Sequence, residues 1–292
     1  MTVASPPNAI SVDVEDYYHV SAFSEVVSQD DWATFKPRVV ENTQRLMDLF
    51  EEFDTRATFF VLGWVAERFP RLVQEIADRG HEVACHGMNH QRIYTQDRKT
   101  FRTETQRSKS LLEQASGTEV LGYRAASYSI NRDSLWALDV LAEAGFKYDS
   151  SVFPVRHDLY GIPNAERFIH ELETESGASL LEFPPTTARV LGSNVPAAGG
   201  GYFRLYPYWL SRALLRRVQR EGEPLMFYLH PWEVDPNQPR IKASLRSRFR
   251  HYNNLDKCLP RLRRLLAEFE FSPARDVLAG QQHLGHPAPA GA

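Results

Sequence analysis

The 292-residue chain carries 34 Lys and Arg against 37 Asp and Glu, a formal charge of -3. That near balance excludes a global field for nucleic acid or another polyanion, so any charged preference is local. The length suits one α/β domain with a full core, and no run approaches the roughly twenty apolar residues that span a bilayer. Met1 to Asn8 lack the basic and apolar regions of a secretory signal, and Cys85 and Cys258 read as free thiols. Together these features lead us to expect a cytoplasmic protein.

Short β-type runs alternate with helix-period segments, the pattern of a parallel α/β sheet or barrel. In chain order the spacing predicts a strand over Ile10 to Val14, a helix over Val39 to Phe53 and a strand over Ala57 to Leu62. A helix over Val65 to Arg79, closed by Gly80, leads into a strand over His81 to Ala84. Then come a helix over Arg98 to Ser116, a strand over Val120 to Tyr123, a helix over Asp133 to Ala144 and a strand over Lys147 to Asp149. Leu180 to Phe183 and Leu225 to Leu229 read as strands, Tyr208 to Glu221 and Leu255 to Glu270 as helices. Phe183 to Gly201, rich in Pro and Gly, reads as an ordered loop whose Gly199-Gly200-Gly201 lets backbone approach a ligand. We divide the chain into an extension (1–9), a catalytic domain (10–280) and a disordered tail (281–292), whose His283 and His286 read as solvated.

Two short segments carry the chemistry. Asp13-Val14-Glu15-Asp16 ends the first strand, and His86-Gly87-Met88-Asn89-His90 follows the strand over His81 to Ala84. Two imidazoles and up to three carboxylates form the ligand set of a divalent ion in a hydrolytic site with an open position for water. Strand alternation turns Asp13 and Glu15 to one face, while Asp16 begins the loop. Three carboxylates in a low-dielectric pocket need a metal or an arginine beside them. Both segments sit at C-terminal ends of strands, where α/β folds place active sites.

With these motifs in order, the chain resembles the polysaccharide deacetylase family, the NodB-homology group or carbohydrate esterase family 4. More narrowly it is similar to the subgroup encoded with exopolysaccharide and exosortase loci, which opens on a segment like Asp13 to Tyr17. The resemblance covers roughly residues 10 to 275. It implies a distorted (β/α) barrel in a single domain, and a divalent metal, zinc first, with Co2+, Ni2+, Mn2+ and Fe2+ as alternatives. Asp13 falls at the family's general base, His86 and His90 at its imidazole ligands, and Glu15 or Asp16, Glu15 preferred, at the carboxylate ligand. Arg124, in Tyr123-Arg124-Ala125-Ala126-Ser127, falls at the residue that orients the base, with Ala126 in place of the usual proline. The oxyanion donor is expected to be a backbone N–H near Ser127. His230, in Leu229-His230-Pro231-Trp232-Glu233, falls at the general acid, with Asp149 or Glu233 to orient it. Tyr17, Tyr202, Phe203 and Trp232 are candidates for a sugar groove.

The resemblance thus implies hydrolysis of the N-acetyl amide of an amino-sugar glycan or its precursor. Alternatives are an allantoinase-like or cyclic-imide amidohydrolase and a catalytically inactive carbohydrate-binding module. A basic stretch, Arg240 to His251 followed by Arg261, Arg263 and Arg264, reads as a solvated face or as contact with an anionic glycan, lipid phosphate or membrane. The oligomeric state is left open.

Overall fold

The computed structural model describes residues 8–158 and 160–280; the tail with His283 and His286, and all but two residues of the extension, lie outside them. The elements in order are β1 (Asn8–Val14), α1 (Val39–Glu52), β2 (Thr58–Val61), α2 (Gly63–Arg68), α3 (Pro70–Asp78), β3 (Glu82–Cys85), α4 (Arg98–Ser116), β4 (Gly122–Tyr123), α5 (Trp136–Glu143) and β5 (Tyr148–Asp149). The second half adds β6 (His170–Glu173), β7 (Ser179–Glu182), β8 (Thr187–Val190), β9 (Ser193–Pro196), α6 (Gly200–Leu205), α7 (Tyr208–Gln219), β10 (Met226–Leu229), α8 (Leu245–Tyr252), α9 (Leu255–Glu268), β11 (Phe271–Ser272) and α10 (Ala274–Gly280).

The sheet runs β10-β1-β2-β3-β4-β5-β7-β6, with β11 added to β1 and only the β6–β7 pair antiparallel. It curls into a distorted (β/α) barrel. Between β7 and β10 the strands do not pair; Thr186 bridges them, its backbone N–H donating to the Met226 carbonyl at 3.2 Å and its Oγ1 accepting from Met226 N at 2.7 Å. Residues two apart on a strand share a face, so the barrel interior takes Ala9, Phe60, Ala84, Tyr148, Leu181 and Met226, closed below by Ala274, Val277 and Leu278 of α10. Glu82 lies buried there and accepts from Thr58 Oγ1 (2.6 Å), Tyr148 OH (2.9 Å) and Arg275 N (3.1 Å). With the lower end filled, the upper strand ends remain for chemistry.

Several predicted elements change at their edges. The single helix expected over Val65 to Arg79 is two, because Pro70 removes an N–H and pushes Phe69 out of helical conformation (φ -130°, ψ 55°) while serving as the first residue of α3. The stretch Phe183 to Gly201 contains the β8–β9 hairpin. Its glycines serve the protein's own side chains: a Cβ at Gly199 would meet the Tyr228 ring and one at Gly200 the Glu233 carboxylate. β6 alternates half-buried and exposed residues at the sheet edge, and α8 buries only His251, so neither shows an apolar periodicity in the sequence.

Candidate active site

β1 and its continuation deliver Asp13 and Glu15, both about 2 % exposed, to one side of the barrel mouth. β3 ends in the loop that carries His86 and His90. The His86 Nδ1 lies 2.8 Å from the Arg124 carbonyl, to which it donates, leaving Nε2 with its lone pair. Burial pushes His86 down to about 4, so the ring is neutral at physiological pH, the form that ligates a metal. His90 takes a left-handed backbone (φ 50°), an uncommon conformation for a non-glycine residue.

Ligand atoms of Glu15, His86 and His90 all lie within 4.8 Å of one another. Glu15 Oε2 is 2.7 Å from His90 Nε2, yet it is buried without a well-aligned hydrogen bond. A buried carboxylate oxygen left so, beside two imidazole nitrogens, has the donor set of a site for one divalent ion. Burial opposes ionisation of Glu15, but His90, His230 and His86 outweigh it and hold the carboxyl well below its usual range.

Asp16 stands outside this cluster, which corrects the alternative that made it a ligand. Its Oδ2 accepts from Arg38 N (2.6 Å) and Val39 N (2.9 Å) at the start of α1, and its Oδ1 from Tyr17 N (2.9 Å). It caps a helix. Burial pushes its carboxyl up to about 6 against those three N–H groups.

Arg124 is fully buried, so it is no surface ion pair. Its Nη1 donates to Asp13 Oδ1 at 2.6 Å and Ser11 Oγ at 2.8 Å, its Nε to the Ser150 carbonyl at 3.2 Å and its Nη2 to Ser150 Oγ at 2.9 Å. The guanidinium also lies 4.0 Å from the Phe60 ring centroid. Asp13 is thereby held by one oxygen, and the other, Oδ2, faces His230 Nε2 at 3.9 Å.

β10 ends at His230. Its Nδ1 lies 2.7 Å from Glu233 Oε1, and Glu233 Oε2 accepts from Arg204 Nε at 2.6 Å. Glu233 is therefore the orienting carboxylate. Asp149 instead accepts from Ser151 Oγ at 2.5 Å, and Ser151 Oγ accepts from Ala125 N at 2.7 Å, tying the Arg124 loop to β5. Burial works against an imidazolium at His230, but the Glu233 bond and the Glu15 and Asp13 charges overcome it and raise the pKa to about 9. Arg204 also donates from Nη1 to the His251 carbonyl at 3.0 Å and is 1 % exposed. Sequence reasoning missed Arg204; Gly200, four residues before it, was the available signal, since it makes room for Glu233.

Two expected groove residues are not in a groove. Tyr17 is 1 % exposed and packs edge-on against Tyr18 and Phe35, because the turn after Asp16 carries it into the core. Trp232 is 7 % exposed; its Nε1 donates to Glu15 Oε1 at 3.1 Å, and its ring stacks on His230 and His251. It orients Glu15. Tyr202 is half-buried, its hydroxyl 3.1 Å from that of Tyr160, while Phe203 is core. Ser127, with φ 54°, pairs its hydroxyl with Ser21 Oγ at 2.7 Å.

The architecture is that of a NodB-type fold. A crystal structure from Mycobacterium smegmatis assigned as a polysaccharide deacetylase aligns with a TM-score of 0.63 at 21 % identity, covering 100 % of this chain and 99 % of that one. A PuuE allantoinase aligns at 0.62 and 15 % identity over 96 % and 91 % of the two chains. Likenesses at such identity show the fold alone. Residues 28–148 match the polysaccharide deacetylase family, and residues 150–279 match a family described as a domain of unknown function, DUF3473. The chain thus carries a polysaccharide deacetylase domain of the NodB-homology type over residues 28–148, with a DUF3473 segment completing the same sheet. Helicobacter pylori (strain ATCC 700392 / 26695) peptidoglycan deacetylase is 31 % identical over 108 residues, 37 % of this chain and 36 % of that protein. The chain spans about a third of the length of the curated relatives it matches. Among the described residues no helix is long and apolar enough to cross a membrane.

Proposed function

We propose that the protein is a metal-dependent deacetylase that hydrolyses the N-acetyl amide of an amino-sugar glycan or its precursor, an exopolysaccharide intermediate being the substrate class we favour. One observation carries the reading: a carboxylate braced by an arginine and an imidazole braced by a carboxylate face each other, Asp13 Oδ2 to His230 Nε2, at 3.9 Å, beside the Glu15, His86 and His90 ligand atoms. Glu15, His86 and His90 would hold the ion, zinc first among those that accept this donor set, and when bound it polarises the carbonyl and acidifies water.

Asp13 supplies the base. Arg124 occupies its Oδ1, so Oδ2 is the oxygen left to take a proton from the attacking water. The departing amine needs a proton, and His230, kept cationic by Glu233, is placed to give it from Nε2. Arg204 keeps Glu233 ionised, so the proton of the pair resides on the imidazole. A backbone N–H near Ser127 is our candidate for the oxyanion donor.

The test is acetate release from N-acetylated glucosamine oligomers, peptidoglycan fragments and lipid-linked glycan precursors, with allantoin as the control for the amidohydrolase alternative. Metal content is measured in parallel. We expect one divalent ion per chain and acetate from a glycan, with metal lost in both His86→Ala and His90→Ala. Undiminished metal in both variants would remove the ligand assignment, and turnover of allantoin alone would replace the substrate class.

A further inference from the structure

Helix α8 turns its apolar residues outward. Its buried residue is His251, whose ring stacks on Trp232 at 4.1 Å. At about 100° per residue, the direction opposite His251 falls near Phe249, with Leu245 and Arg246 on either side of it. Leu245 is 83 % and Phe249 60 % exposed. Arg246 and Arg250 flank this apolar ridge on one side and Arg248 on the other, all exposed.

The charge along the segment that carries the ridge is of one sign. From Pro236 to Leu255 the chain has no Asp or Glu, but it has Arg240, Lys242, Arg246, Arg248 and Arg250. Arg246 reaches Asp158 at 3.1 Å in an ion pair whose side chains are both more than half exposed. Arg248 and Arg250 make no side-chain ion pair among the described residues. A core helix places such residues the other way round, with Leu and Phe inward.

We propose that α8 docks the protein on an anionic phospholipid bilayer, Leu245 and Phe249 entering the boundary between headgroups and acyl chains while the arginines engage lipid phosphates. A soluble polyanion would satisfy the arginines and leave Leu245 and Phe249 in water. An apolar protein partner would cover the ridge and leave Arg240, Lys242, Arg248 and Arg250 without an ion-pair partner among the described residues. The bilayer surface supplies both. Docking also has a place in the geometry of the mouth, since the inner face of α8 reaches Glu15 through His251 and Trp232. The proposal stands independently of the hydrolytic reading.

The experiment is sedimentation of the full chain with vesicles of phosphatidylcholine alone and of phosphatidylcholine mixed with phosphatidylglycerol. We expect binding only to the mixed vesicles, weakening as salt rises. Arg248→Gln/Arg250→Gln lowers it roughly 25-fold, about fivefold per cation near the surface, and Leu245→Ser/Phe249→Ser lowers it at least tenfold. Phe249→Trp, which keeps an interfacial anchor, retains it. All these positions are exposed, so thermal midpoints stay at the wild-type value and a loss reports docking. Absence of wild-type binding, equal binding to the two vesicle types, or undiminished binding of Leu245→Ser/Phe249→Ser overturns the proposal; the last outcome would make this a charge-only surface suited to a soluble polyanion.

Discussion

The two halves of the barrel mouth hold their polar groups by different means. In the half built by β1 to β5, backbone groups do much of the holding: His86 is fixed by the Arg124 carbonyl, Arg124 N donates to the Cys85 carbonyl at 2.9 Å, and Arg124 Nε donates to the carbonyl of Ser150, just after β5. Sheet register therefore sets the geometry. In the half built by β10 and α6, side chains hold side chains, from Arg204 to Glu233 to His230. A register-held group tolerates change in its neighbours' side chains, whereas a chain of buried ions fails when any member is removed.

The largest effect tests the register-held half. Asp13→Asn is expected to lower kcat about 10³-fold on an N-acetylated oligomer while the bound metal stays, since the change removes a base and leaves Glu15, His86 and His90 intact. Loss of metal together with activity would make Asp13 a ligand and reverse the roles in this half. Next, Arg204→Met should destabilise the protein by about 3 kcal/mol, measured by denaturant unfolding, because it leaves Glu233 buried without its arginine. Arg204→Met/Glu233→Leu should recover most of that stability but not the activity. If the double variant is no more stable than the single one, the ion pair is not the device that holds this half.

Much of the first half was legible because its chemistry lies in short runs at strand ends. Asp13-Val14-Glu15 alternates with the β period, and His86 and His90 share one loop, so spacing alone brings them together. Asp16 misled because its competing use, capping α1 across 22 residues, is a tertiary fact with no local pattern. The second half was harder to read for the same reason. Arg204 and Glu233 are 29 residues apart on different elements; Glu233 stands beside His230 in one segment, where the sequence makes it one of two candidate partners, but Arg204 stands in no motif. Tyr17 and Trp232 show the limit of aromatic residues as sugar-site signals: one is core and the other holds a carboxylate.

A smaller effect bears on the acid. His230→Ala should slow amide cleavage about 10²-fold, but cleavage of an activated acetate ester, whose leaving group needs no proton, by less than tenfold. Equal losses on both substrates, at matched metal loading, would leave His230 a binding residue. The pH profile follows from the raised pKa of about 9. Below it the imidazolium is present, and as pH rises through it the proton donor is lost, so kcat/KM on the amide falls on that limb. Glu233→Gln removes the carboxylate that sustains the cation, and the fall should begin at lower pH. An unmoved limb would assign it to another group.

The smallest expected effect compares the halves through two buried neutral histidines. His19, ringed by Trp32 and Trp64, and His251, stacked on Trp232, are each pushed down to about 3 by burial. Each therefore binds a proton more weakly folded than unfolded, and its contribution is full above its unfolded pKa near 6.5 and lost as pH falls toward 3. Asp16 and Asp149, pushed up to about 6, act in the opposite direction over the same window, so the difference between variant and wild type is the informative quantity. His251→Phe keeps a ring against Trp232 and gives up the bond between His251 Nε2 and Gln238 Oε1, 2.6 Å apart. It should cost about 1 kcal/mol at neutral pH and regain about 2 kcal/mol relative to wild type at pH 5, one titrating group having been removed. Tryptophan fluorescence at a series of pH values would follow both unfolding curves. A constant gap between them would show that His251 accepts a proton without loss of the fold, and that the side-chain-held half is looser than the stacked rings imply.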